Sequence, residues 1–203
     1  EARPWTSREA TSSSTVPERL AVVGGGVVGV EMATAWNALG SEVTLVVRGS
    51  RLLPRMEPFA GELVADSLRA AGGDVRFGVS ATAVRRDGPV VLTLDDGREL
   101  TADEVLFATG RAPATSDVGL ETVGLEAGKP IRVDDTGLAV GVPGGWLYAA
   151  GDVTGRAMMT HQGKYQGRIF GTVIADRAAG RELDTAPWGR SVVTADERAV
   201  PQV

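Results

Sequence analysis

Six consecutive residues, Gly24-Gly25-Gly26-Val27-Val28-Gly29, constrain this chain more than any other stretch. They follow the apolar run Arg19-Leu20-Ala21-Val22-Val23 and open an amphipathic segment that continues to Leu39. A glycine-rich turn by itself closes many ordinary loops. Between a strand and a helix, with a second strand at Glu42 to Val47, it is a dinucleotide-binding corner. Gly24 permits the tight turn, Gly26 lets a backbone approach a diphosphate, and Gly29 lets the helix pack close to its strand. The free N–H groups at the helix start then face the phosphate charge.

The rest of the chain extends this βαβ beginning into an α/β fold. Glu42 to Val47 is β-branched and apolar, as suits a parallel strand buried on both faces. Pro54 and Pro58 bracket a loop, and the next helix, which Gly72-Gly73 ends, is expected to place Phe59, Leu63, Leu68 and Ala71 on one face. Asp74 to Phe77 returns to the sheet. From Ala81 to Leu100 the period changes to alternation, with a turn at Asp95-Asp96-Gly97, so an antiparallel meander is inserted into the parallel fold. Glu104 to Ala108 reads as a further buried strand, and shorter strands are expected around Ile131 to Val133 and Trp146 to Ala150. Thr160 to Ala179 reads as a long helix with Gly180 just past its end.

A hydrophobic content of 43% in 203 residues supports a real core. The net charge of −5 speaks against a general nucleic-acid surface, and no apolar run reaches bilayer-spanning length. Without cysteine there is no thiol catalysis, disulfide or cysteine–zinc site in the chain, and with no signal-peptide pattern a cytoplasmic protein is expected. Both ends read as cut, the last residues, Ala199 to Val203, resembling the beginning of a strand, so a fragment of a longer polypeptide is expected.

Three separated signatures occur in order: GGGVVGVE from Gly24 to Glu31, ATGRAP from Ala108 to Pro113 and AAGDV from Ala149 to Val153. Together with Met158-Met159-Thr160-His161, they resemble the flavin-dependent pyridine nucleotide-disulfide oxidoreductases, the family of dihydrolipoamide dehydrogenase, glutathione reductase and mercuric reductase. The resemblance spans nearly the whole chain and corresponds to the family's middle portion. It implies a Rossmann-like three-layer NAD(P)-binding domain with an inserted antiparallel β-meander, followed by the second segment of the FAD domain. The corresponding boundaries are a linker at 1–15, the NAD(P)H-binding domain at 16–112, the C-terminal segment of the FAD-binding domain at 113–180 and a tail at 181–203 leading to a dimerisation domain. The family's redox cysteines and His–Glu base belong to regions outside this portion, so no catalytic residue and no metal ligand is expected within the chain.

The resemblance also distributes roles. Gly24, Gly25, Gly26, Val27, Val28 and Gly29 would cradle the diphosphate, and Glu31 would sit near the nicotinamide and the flavin edge; otherwise it is a solvated carboxylate near a helix start. Coenzyme choice is written at the end of the second strand, where an acidic side chain suits the ribose of NAD and cationic ones suit the 2′-phosphate of NADP. The acidic position is held by Val47, and Arg48, Arg51 and Arg55 follow it. A planar guanidinium matches phosphate oxygens, which favours NADP, whereas Gly29 stands where NADP-using relatives often carry alanine. Thr109 and Gly110 would mark the crossover to the flavin domain. Gly151 and Asp152 would meet the flavin ribityl chain, unless the aspartate merely closes a turn. His161 would help begin the last helix, whose N-terminus faces the flavin. Lys164, Arg168 and Arg177 read as solvated charges and Trp146, Tyr148 and Phe170 as core.

The implied activity is electron delivery from NADPH or NADH to FAD, with a disulfide or another acceptor downstream and a homodimeric parent. Two alternatives stay open from the residues alone: a cysteine-free flavoprotein reductase or oxidase of the same fold, and a non-catalytic dinucleotide-binding module.

Overall fold

A computed structural model describes residues 2–156 and 158–181, which divide into two compact units, one ending at Gly110 and the other beginning at Arg111. The strands of the first are β1 (Arg19–Val23), β2 (Glu42–Val47), β3 (Asp74–Phe77), β4 (Ala81–Arg86), β5 (Val90–Leu94), β6 (Glu99–Ala102) and β7 (Glu104–Phe107), and its helices are α1 (Ser7–Ser12), α2 (Val27–Ala38) and α3 (Pro58–Ala70). A parallel sheet has the order β3-β2-β1-β7, and an antiparallel sheet the order β4-β5-β6.

The period of two along each strand sorts the first unit into three layers. Leu20, Val22, Val43, Leu45, Val47 and Leu106 pack with Val30, Ala33 and Trp36 of α2 and with Ala65 and Leu68 of α3. The intervening Ala21, Val23 and Val105 pack with Val90, Leu92 and Ala102 of the meander. Both faces of the inner strands are therefore covered, which is why β1 and β7 are apolar after their first residue, whereas Thr44 interrupts β2 and Asp74 and Arg76 stand in the edge strand β3.

Two expectations are corrected in this unit. Phe59 and Leu63 are exposed, at 62% and 64%, while Gly61, Ala65 and Leu68 form the buried face of α3. The helix is held so close to the chain at Leu52 that a Cβ on Gly61 would collide with the Leu52 carbonyl oxygen. The smallest residue therefore marks the contact, and positions two residues away point about 200° around the helix. The N-terminal segment is also more than a linker. Trp5 pairs with Leu106 beside β7, donating to the Val105 carbonyl at 2.8 Å and accepting from Phe107 at 2.9 Å, and its ring lies 5.4 Å from that of Trp36. Thr6 and Glu9 then form a reciprocal capping box that starts α1, whose buried residue is Ala10. One buried apolar residue in a six-residue helix leaves no visible period, but the Thr-x-x-Glu spacing was there to be seen.

The start of β1 is clipped to the β6–β7 turn. Asp103 accepts from the Arg19 backbone at 2.8 Å and from its guanidinium at 2.7 Å, which together hold the Asp103 carboxyl below the usual carboxylate range. Arg86 of β4 reaches Glu104 at 2.6 Å and the Ala2 carbonyl at 3.1 Å, tying meander, sheet edge and N-terminal segment together.

Among the described residues of the second unit, two short 3₁₀ turns (Leu120–Val123 and Gly151–Thr154) accompany one α-helix, α4 (Thr160–Ala178), which buries Gln166, Ile169, Phe170 and Val173. The strands expected near 131–133 and 146–150 are reduced to isolated bridges, Val133 with Ala139 and Leu138 with Tyr148. Gly137, Gly141, Gly144 and Gly145 all have positive φ, and such a run of turns leaves no length for ladders. Gly137 lies on the Phe170 ring, where a Cβ would approach within 2.5 Å. Of the three aromatic residues expected in the core, Phe170 is buried, Tyr148 is half-buried and Trp146 is 59% exposed. Arg177 is exposed, as expected of a solvated charge, and in addition donates to the Tyr148 hydroxyl at 2.7 Å and to Thr136 at 3.2 Å. Apart from Arg181, the expected tail 181–203 lies outside the described residues. Among the described residues no helix is long and apolar enough to cross a membrane.

Gly61→Ala should destabilise the chain by about 1–3 kcal/mol through overpacking, despite a better helix propensity. Gly171→Ala, on α4 where a Cβ meets open space, should stabilise by up to about 1 kcal/mol. Chemical denaturation of the two variants checks the pair. Because the native carboxyl of Asp103 is lowered, its contribution is complete above the ordinary value near 3.9 and disappears as pH falls through the native value. The pair is partly exposed, so Asp103→Asn should cost no more than about 1 kcal/mol at pH 7, and the difference should shrink below about pH 3.9.

Candidate functional site

The glycine corner stands at the carboxyl ends of β1 and β7. Gly24 has φ +123°, and a Cβ there would overlap the Ala108 carbonyl oxygen. Its amide donates to Val46 at 2.9 Å, and the Ala108 amide donates to Val23 at 2.8 Å, so the turn is tied to both neighbouring strands. A Cβ on Gly29 would collide with the Gly24 carbonyl oxygen, which makes this glycine the point of closest approach between α2 and the turn. The helix–strand contact by itself thus favours glycine at this position.

Gly26 differs from its neighbours. It is the N-cap of α2, it has extended backbone with φ −80°, and no side chain caps the helix start. A Cβ on Gly26 would meet open space. The first turn of α2 holds no acidic residue, so no carboxylate there offsets the positive end of the helix dipole. This arrangement fits an anionic diphosphate laid across Gly26 and the amides of Val27 and Val28. Val27 is exposed to solvent and Glu31 is exposed on the second turn of the same helix.

Gly25 and Val47 belong together. A Cβ on Gly25 would press against Val47 at 2.7 Å and Leu52 at 3.2 Å, and Val47 is itself 4% exposed. Val47 is therefore a support under the turn and not a side chain offered to a ligand, a correction to the expectation. Arg48 follows it into solvent, while Arg51 donates to the Pro54 carbonyl at 2.8 Å within its own loop. Leu52 is fully buried beneath the turn, and the Leu53 amide donates to the Gly25 carbonyl at 2.8 Å. Sequence reasoning missed these two leucines because the Leu-Pro step reads as an ordinary loop.

In the second unit, Gly151 and Asp152 begin a short 3₁₀ turn ending at Thr154. The exposed Asp152 carboxylate accepts from Arg111 at 3.1 Å, and the same guanidinium donates to the Met158 carbonyl at 2.8 Å. Gln166, buried on α4, accepts from the Gly151 amide at 2.7 Å. Gly151 has φ +76°, and Gly163 of α4 packs against it. His161 is exposed in the first turn of α4, whose N-cap Met159 gives no side-chain cap and which has no acidic residue in that turn. A polar side chain heading the stripe Gln166, Ile169, Phe170 and Val173 was the available signal for a buried hydrogen bond. Thr109 and Gly110 are exposed at the end of the first unit. No group of three or more His, Asp or Glu residues that could hold a metal is present among the described residues.

Comparison with known proteins places these features in context. The sequence model of the family described as Pyridine nucleotide-disulphide oxidoreductase matches residues 1–167. A glutathione reductase of Burkholderia cepacia is 37% identical over 176 residues, covering 85% of this chain and 38% of that relative. A mercuric reductase of Shigella flexneri is 43% identical over 156 residues, covering 74% of this chain and 27% of the relative. Among solved structures, the HOCl-induced flavoprotein disulfide reductase RclA of Escherichia coli superposes with a TM-score of 0.74 at 26% identity, over 88% of this chain and 40% of that one. The chain thus spans well under half the length of these relatives.

Gly26→Ala should change folding stability by less than about 1 kcal/mol, as an N-cap exchange in open space. Gly29→Ala should cost at least about 1–3 kcal/mol, because the opposing atom is backbone. Thermal melts of both variants beside the parent measure the contrast; equal loss in the two would contradict the assignment of their roles.

Proposed function

Because the chain belongs to the pyridine nucleotide-disulphide oxidoreductase family, we propose that it is the coenzyme-holding portion of a flavin-dependent NAD(P)H oxidoreductase. In this reading residues 16–112 bind NADPH or NADH, and residues 113–180 contribute one part of an FAD pocket. The observation that carries it is Gly26: an open, side-chain-free surface at an uncapped helix start, walled by glycines whose own Cβ positions are filled by backbone or core.

Each residue then has a definite task. The amides at the start of α2 hold the diphosphate, with Gly24 and Gly29 keeping the turn flat enough for contact. Arg48, with Arg51 behind it, supplies guanidinium donors for a 2′-phosphate, which favours NADPH over NADH. Glu31 stands on the exposed side of α2 toward the nicotinamide half. Asp152, held on one oxygen by Arg111, accepts from hydroxyls of the flavin side chain, and the N-terminus of α4 near His161 favours negative charge on the ring system. When bound, the nicotinamide and flavin supply the hydride chemistry; the chain supplies placement and charge.

The proposal ends at electron delivery. A glutathione reductase and a mercuric reductase both share this portion while their names state different acceptors, so the acceptor is chosen elsewhere. A dimeric parent in the cytoplasm completes the reading.

Calorimetric titration of the chain with NADPH and NADH is the direct test, and saturable uptake of at least one is expected. Arg48→Glu should weaken NADPH by about tenfold or more through lost and reversed charge, with a change of no more than about threefold for NADH. Equal weakening of the two would remove the assignment of Arg48 to the 2′-phosphate. Absence of any uptake by folded protein would remove the coenzyme reading.

A further inference from the structure

Leu53 breaks two local rules at once. Its φ is +49°, a region that bulky side chains rarely adopt, and it precedes Pro54, which favours a φ of about −120° in the preceding residue. A conformation of this kind persists where its surroundings over-determine it, and such residues gather at ligand sites.

The surroundings of Leu53 are of that sort. Its amide donates to the Gly25 carbonyl at 2.8 Å, its carbonyl accepts from Met56 at 2.9 Å, and its side chain packs partly buried against the helix-side core. Leu52, the residue before it, is fully buried, with its side chain under Gly25 and its carbonyl against Gly61 of α3. At the other end of the loop, the Gly49 carbonyl accepts from Gly78 at 3.1 Å. Arg48, Arg51 and Arg55 therefore ride on a segment fastened to the sheet edge on one side and to the glycine turn on the other. The bond to Gly25 joins the arginine loop directly to the residue preceding the open Gly26.

We infer that Leu53 is a positioning residue that sets the separation between the diphosphate turn and the arginine loop, and thereby the discrimination of a 2′-phosphorylated dinucleotide from its unphosphorylated counterpart. The inference rests on the coenzyme reading above and adds to it the element that makes selectivity geometric. Arginines on a free loop would attract any anion. Arginines held at a fixed distance from the turn reward the ligand whose second phosphate falls at that distance.

The test compares two variants and one measurement on the unaltered chain. Leu53→Pro removes the amide donor and forces φ near −65°. Leu53→Asn keeps the donor and tolerates the left-handed backbone. With binding of NADPH and NADH measured by calorimetry, Leu53→Pro should lower the ratio of the two affinities by about tenfold while NADH changes by no more than about threefold. Leu53→Asn should keep the ratio within about twofold of the parent. In the unaltered chain, hydrogen exchange at the Leu53 amide should slow at least about tenfold more with NADPH than with NADH at equal saturation. That measurement decides the matter if Leu53→Pro does not fold. An unchanged ratio in Leu53→Pro, or equal protection of the amide by both coenzymes, overturns the inference. Equal affinity of the unaltered chain for NADPH and NADH also overturns it while leaving dinucleotide binding intact. Uptake of neither removes the coenzyme reading and this inference with it.

Discussion

Backbone meets backbone at the corner where α2 leaves β1, with no side chain between them. A Cβ on Gly29 would enter the Gly24 carbonyl, and one on Gly24 would enter the Ala108 carbonyl. That contact brings the helix start level with the ends of β1 and β7, and the rest of the first unit is arranged around it. Close packing permits no intermediate distance: the helix either lies on the turn through glycine or moves off by the width of a methyl group. The same proximity leaves the α2 N-terminus exposed beside an open Gly26, so the packing constraint and the proposed diphosphate site share one set of residues.

A support on the opposite side keeps that corner in place. Val47 and Leu52 fill the space under Gly25, Leu52 also receives Gly61 of α3, and Leu53 returns a hydrogen bond to the Gly25 carbonyl. The expected ligand position Val47 turns out to belong to this support, and the charge that follows it, Arg48, is directed to solvent. A buried aliphatic residue at a strand end thus serves the site through the loop it stiffens. The second unit repeats the principle with different parts: the Gly151–Asp152 turn is held by the buried Gln166 from one side and by Arg111 from the other.

Much of the parallel sheet was legible because strands buried on both faces read as nearly continuous apolar runs, and because the glycines mark the turns. The bounds of β1, β2 and β3 coincide with the runs expected for them. The meander was legible from its alternation and its Asp-Asp-Gly turn. What escaped was information carried by spacing in three dimensions. Phe59 and Leu63 look like a helix face until Gly61 is seen to be the contact, and Trp5 looks like part of a linker until it is found pairing with Leu106. The bridges in the second unit look like strands until the positive-φ glycines are counted in place.

From the amino-acid order alone came the α/β class, the place of the glycine turn and the family resemblance, since each depends on residue types at short separation. The tertiary structure decided which glycine is demanded by packing and which faces open space, that Val47 is buried while Arg48 is not, and that Leu53 bonds to a turn 28 residues before it, Gly25. These depend on distances between segments remote in sequence. Such distances are set by the sum of all packing contacts, and no local pattern encodes them.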